Sequence, residues 1–275
     1  MCNINVYTFI TTNSNPYAEL LRRSMEQYKT GKHKIKYKCV MSVGAEVPPK
    51  GWAVAGKTGY LSHDCYNHAA ALNYAYEDTS AGITILVDCD ICVLYHGWDQ
   101  LVVNQCRRSK VFGTAYRKGA NYQNFPNVFF FAFPIELKNV LDLDFIPSVS
   151  SGESPDRVVL SSSGQAKRYG KKAGDQLKCD TGYRIADQCY KAGIEGVAME
   201  CIEQTDKRSQ LPYVNDRHRE MCLEKPTHMA EWHYDGKLFC THKQASRNHP
   251  LDGEYGKAWK QKIDEFTMER DGAGL

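Results

Sequence analysis

Asp88 and Asp90 are the residues whose type and spacing speak first of chemistry. They stand one residue apart, directly after Ile83-Thr84-Ile85-Leu86-Val87. On an extended chain, side chains two residues apart point the same way. Two carboxylates aimed at one place repel each other unless a cation lies between or beside them. A hard divalent cation that also holds a diphosphate is the economical explanation. The plainer alternative is a strand end whose acids cap the next turn.

The run before them must be the element that delivers them. A continuous apolar stretch rich in β-branched residues reads as a strand buried on both faces. Ligands of open α/β sheets gather at the carboxyl ends of such strands. Ile4–Ile10 predicts a first strand, and Pro16 suits the first turn of a helix carrying Tyr17, Leu20, Leu21, Met25 and Tyr28 on one face. Ile35–Val43 predicts a second strand, and 46–59, with Pro48-Pro49 and several glycines, a long loop. Ser62 is placed to cap a helix lined by Cys65, Ala69, Leu72 and Tyr76. A short helix follows Gly97-Trp98, then strands at 111–116 and 128–133, and a helix from Pro134 to Leu141. Residues 148–178 read as a mobile loop, Asp180 as the cap of a helix over 181–192, and 194–201 as a strand. From 204 the chain is polar and irregular, with a late helix near 258–268. Alternating strands and helices predict an α/β fold with a mainly parallel sheet.

Bulk properties narrow the class. The 275 residues are 42% hydrophobic and 24% charged, an ordinary globular composition, with no linker marking two domains. A net charge of +3 is too mild to argue for nucleic acid by itself. The 11 cysteines lack a regular framework and read as thiols of a reducing, cytoplasm-like compartment. The opening has no basic region of a secretory signal, and no apolar run is long enough for a transmembrane helix. Cys89-x-x-Cys92 with His96 invites zinc, but no second pair completes a tetrahedral set.

Ala69-Ala70-Ala71-Leu72-Asn73, followed by Gly82 through Asp88-Cys89-Asp90, resembles the central segment of GT-A-fold glycosyltransferases, where a helix precedes a strand ending in a D-x-D motif. Cys179-Asp180-Thr181-Gly182-Tyr183-Arg184 resembles the downstream helix start of inverting members, and Phe239-Cys240-Thr241-His242-Lys243 the segment with their late histidine. The resemblance implies one GT-A-like domain over 1–275, with 1–110 binding a nucleotide sugar and 111–275 the acceptor. It implies Mn²⁺ or Mg²⁺ held by Asp90 and His242, with Asp88 on the metal, its bound water or the donor ribose. It implies donor contacts from Thr11, Thr12, Asn13, Lys57, His68, Asn73, Lys243 and Arg247, and Asp180 as general base.

Rivals stay open. His249 competes with His242, and Asp175, Glu153 and Asp156 compete with Asp180. The acceptor is a glycan or, given the basic stretch Arg157–Lys178, a hydroxylated base in DNA. Two other functions are a nucleotidyltransferase, whose metal-binding acids look similar, and a non-catalytic nucleic-acid-binding module, which rests only on the basic loop and leaves the two aspartates unexplained. The first usually needs a Gly-rich basic loop after the first strand, and Thr11–Asn15 holds neither glycine nor lysine.

Overall fold

The computed structural model describes residues 1–42, 44–58, 64–80, 82–107, 110–115, 125–145, 148–149, 177–179, 181–182, 184–211, 213, 216, 219–220, 229–243 and 250–272. The chain is an α/β protein, as its alternating pattern predicts. The strands are β1 (Asn3–Ile10), β2 (Lys34–Met41), β3 (Ala53–Lys57), β4 (Ile83–Val87), β5 (Ile91–Val93), β6 (Val111–Ala115), β7 (Pro126–Pro134), β8 (Ser148–Val149), β9 (Leu177–Cys179), β10 (Gly196–Ile202), β11 (Met229–Tyr234) and β12 (Lys237–Lys243). The helices are α1 (Asn15–Tyr28), α2 (Asp64–Glu77), α3 (Trp98–Cys106), α4 (Ile185–Lys191) and α5 (Glu254–Gly272).

Ten strands form one sheet in the order β3-β2-β1-β4-β7-β6-β10-β11-β12-β5, and β8 pairs with β9 apart from it. The first four strands of that order are parallel. Beyond β4 the pairing is antiparallel except between β6 and β10, so the sheet is mixed. β1 and β4 lie inside the sheet and are apolar on both faces because both faces are covered. One face carries a core built on Leu21, Met25, Ile85, Trp98, Phe130, Trp232, Phe239 and Trp259. The other carries Tyr7, Leu72, Leu86, Phe131, Phe133 and Ile185.

Several expectations change. The presumed loop 46–59 contains β3, which forms by pairing with β2 rather than by burial, since its residues are exposed or half-buried. Tyr74 packs its ring over Gly56 and donates its hydroxyl to the Ala55 carbonyl at 2.9 Å. No helix starts at Pro134: β7 ends there, as a residue lacking an N–H permits, and only a 3-10 turn (Ile135–Asn139) follows. Helix α4 starts at Ile185, later than expected, because Gly182 has φ +79, which a right-handed helix cannot contain. The polar stretch after 204 holds the buried hairpin β11–β12, and its late helix is longer than expected.

Two local features follow from sheet geometry. Lys34 and Lys36 are exposed where β2 extends past β3, and lysines there discourage pairing of a bare edge. Gly113 in β6 lies so close to β7 that a Cβ would overlap the Phe130 carbonyl oxygen. Gly113→Ala is expected to destabilise the protein by about 1–3 kcal/mol, read as a lower urea midpoint. An unchanged midpoint would mean the strands separate freely here.

Candidate active site

The site is assembled where β4 ends. Thr8 Oγ1 donates to the Val87 carbonyl at 2.8 Å, and Asp88 N donates to the Phe129 carbonyl at 3.0 Å. The chain then turns, with Ile91 N donating to the Asp88 carbonyl at 3.2 Å, and enters β5. β12 pairs with β5 so that His242 lies opposite Ile91, and Lys243 N donates to the Asp90 carbonyl at 2.9 Å. The other edge of β5 is covered by α1, where Ser24 Oγ accepts from Val93 N at 3.1 Å. Thr241, beside His242, accepts from the Trp259 indole of α5 at 3.1 Å. The histidine therefore stands on a strand held from both sides.

Asp88, Asp90 and His242 converge. Their side chains are 16%, 8% and 4% exposed. His242 Nε2 lies 3.0 Å from Asp90 Oδ1 and 3.8 Å from Asp88 Oδ2. One ligand atom from each lies within 4.8 Å of the others, the one such group among the described residues. Cys89, Cys92 and His96 form no group of this kind; Cys92 lies in the core, where burial pushes its thiol up to about 12. The imidazole of His242 packs against Phe129 and Trp232, at ring separations of 4.9 and 5.8 Å. Burial, and then the charge of Asp90, push the Tyr17 hydroxyl well up, so that side chain stays neutral beside the acids.

The donor set suits a small divalent cation. Ligands bound at roughly 2.1 Å lie no more than about 4.2 Å apart, and both measured separations fit. Two carboxylates with one imidazole form a mixed oxygen and nitrogen donor set that divalent cations accept. Asp88 Oδ1 is buried with no hydrogen-bond partner among the described residues, and His68 Nε2 stands 3.1 Å away.

Other buried polar atoms mark the same edge. Asn15 Oδ1 follows β1, Thr58 Oγ1 follows β3, and Asn127 Nδ2 lies at the start of antiparallel β7; none has a hydrogen-bond partner among the described residues. His33 Nε2, before β2, shares that condition at the opposite edge. Each such atom costs about 1–3 kcal/mol, a cost that a polar ligand laid along this edge would remove.

The remaining expected contacts fall unevenly. Thr11 shares a hydrogen bond with Ser14 at 2.6 Å, while Thr12 and Asn13 are exposed at the same carboxyl edge. Lys57 is exposed at the end of β3. His68, half-buried on α2, faces Asp88 and packs edge-on against Phe9. Asn73 is spent on structure, its Oδ1 accepting from Phe145 N at 3.2 Å. Lys243 is fully buried, with Nζ 5.5 Å from the Tyr255 ring centre. Asp180 and Arg247 lie outside the described residues, as do Glu153, Asp156, Asp175, His249 and the basic residues Lys167, Arg168, Lys171 and Lys172.

Three residues that carry no motif stand beside the group: Tyr17, Phe129 and Trp232. Phe129 belongs to a bulge in β7, where pairing with β6 jumps from Gly113–Phe131 to Thr114–Asn127. Bulges of this kind re-aim side chains beside functional sites. Thr114 Oγ1 fills the gap by accepting from Phe130 N at 3.1 Å.

No family model and no curated protein matches the chain. Among solved structures it is similar to a mannosyltransferase from Pyrobaculum calidifontis in complex with GDP-Man and Mn²⁺. Identity is 16%, the TM-score is 0.40, and the match covers 52% of this chain and 47% of that one, about half of each. Among the described residues, no helix is long and apolar enough to cross a membrane.

Proposed function

We propose that this chain is a metal-dependent glycosyltransferase, moving a sugar from a nucleoside-diphosphate sugar to an acceptor hydroxyl. The observation that carries the proposal is the convergence of Asp88, Asp90 and His242 at the carboxyl end of β4, with one ligand atom from each within 4.8 Å of the others. Asp90 and His242 hold the ion and Asp88 completes its surroundings. When bound, Mn²⁺ or Mg²⁺ supplies positive charge that stabilises the departing nucleoside diphosphate.

The protein's own residues bind and orient. Thr11, Thr12, Asn13 and Lys57 stand at the ends of β1 and β3, the nucleoside side of the edge. His68 holds the face of Asp88 turned away from His242. Phe129 and Trp232 wall the imidazole off from water, which strengthens every charge interaction at the site. Lys243 and Arg247 are the cations proposed for the diphosphate. Asp180 is proposed as the base that takes the acceptor's proton in an inverting transfer.

The test is a panel of GDP, UDP and their sugars with and without Mn²⁺, read by thermal shift. A ligand present at 100 times its Kd stabilises by about 2.7 kcal/mol, a shift of several degrees. One nucleotide and its sugar should stabilise the protein, and EDTA should cancel the effect. No Mn²⁺-dependent response to any member would sink the proposal. Product formation on glycan and on hydroxymethylated DNA acceptors then identifies the acceptor.

A further inference from the structure

Asn127 is 1% exposed, and its two amide atoms have different fates. Oδ1 accepts from Val128 N at 2.6 Å, which fixes which end of the amide is which. Nδ2 is then a donor with no hydrogen-bond partner among the described residues. The residue stands at the edge of the β7 bulge that brings Phe129 onto His242 and the Phe129 carbonyl onto Asp88 N. On its other side is the Gly182 turn.

Position along the sheet says what such a donor meets. Across the carboxyl edge the order is β3, β2, β1, β4, β7. If the nucleoside lies over β1 to β3 and the diphosphate at Asp88, the group on the far phosphate lies over β7. We infer that Asn127 is a specificity-determining residue, donating from Nδ2 to a hydroxyl of the transferred sugar. This rests on the glycosyltransferase reading of the metal site. A hydroxyl reaches Nδ2 only when the side chains around it move aside, so the contact belongs to the sugar-bound state. An isostere lacking that hydroxyl leaves the donor as unsatisfied as it is in the free protein and binds more weakly by the bond it cannot make.

The test compares wild type, Asn127→Ala and Asn127→Asp in Mn²⁺ with GDP against GDP-mannose and UDP against UDP-glucose. Asn127→Asp keeps the acceptor for Val128 N and loses the donor. Wild type should bind a nucleotide sugar more tightly than its parent diphosphate. Both variants should keep the diphosphate affinity and lose about tenfold in sugar-nucleotide affinity. If either folded variant binds both probes as wild type does, Asn127 reads no sugar and the inference is overturned, with the metal-site reading intact. If wild type itself ignores GDP and UDP in Mn²⁺, the glycosyltransferase reading falls, and the inference with it. If both variants melt higher than wild type with unaltered sugar affinity, the orphaned donor is a packing defect and the inference is again overturned.

Discussion

Asp90→Asn is expected to abolish Mn²⁺ binding and sugar transfer while the protein stays folded. The substitution keeps size and leaves an oxygen that can still accept from His242 at the 3.0 Å contact. It also leaves the backbone bond from Lys243 N to residue 90 untouched. What it removes is the charge of the most buried carboxylate in the group, and a neutral amide is a poor ligand for a hard cation. Loss of a residue that merely supports a ligand costs roughly 10–100-fold in metal affinity, so loss of a ligand should exceed about 100-fold. Titration of Mn²⁺ followed by the EPR signal of the free ion measures it. Asp78→Asn is the control, because Asp78 is an acid held by Lys38 and Tyr7 away from the site. Equal affinities for wild type and Asp90→Asn would remove the metal assignment.

Glu231→Ala is expected to cost about 3–5 kcal/mol of stability. Glu231 is fully buried in β11 and accepts from Gln204 Nε2 at 2.8 Å, Gln210 N at 2.8 Å, Leu211 N at 3.1 Å and Ser209 Oγ. His233 Nε2 lies 2.8 Å from Oε2, the oxygen that also accepts from Gln210 N. Removing the carboxylate takes the acceptor at position 231 from all of these donors at once. Burial pushes the Glu231 carboxyl up, but the bonds from His233, Ser209, Gln210 and Leu211 outweigh it and hold the group below the ordinary carboxylate range. A depressed folded-state value gives stability that is complete above the unfolded value of about 4.3. That stability is lost as pH falls through the folded value. Urea melts of wild type should therefore weaken from pH 5 downwards, and those of Glu231→Ala should weaken less. Parallel pH profiles would exclude this carboxylate as the source.

Much of the first half of the chain was legible because it obeys one pattern. β1 and β4 are covered on both faces, so they read as unbroken apolar runs, and the acids after β4 stand out against them. His242 was legible for a related reason: Leu238-Phe239-Cys240 announces a buried strand, which must hold its next residues rigidly. The rest of the hairpin hid itself. Glu231, His233, Thr241 and Lys243 are polar and buried, which erases the alternation by which a strand is recognised. β5 has three residues, too few for any period. β3 and Asn127 depend on neighbours, one on pairing and one on a bulge, and neither leaves a local trace.

The turn from β4 into β5 has a consequence for how the site comes into being. β4 lies in the interior of the strand order and β5 at its far end, yet three residues connect them. The chain closes a loop through β7, β6, β10, β11 and β12 before β12 can lie down beside β5. His242 reaches Asp90 across 152 residues of sequence. Closing so long a loop is slow, because its entropy is lost before the contact is gained. The Asp88–Asp90–His242 group is thus completed by one of the longest-range contacts among the described residues, and chains stalled with the hairpin undocked hold two aspartates without their histidine. Tight Mn²⁺ uptake during refolding should trail the recovery of secondary structure, so that the metal times the arrival of the last strand.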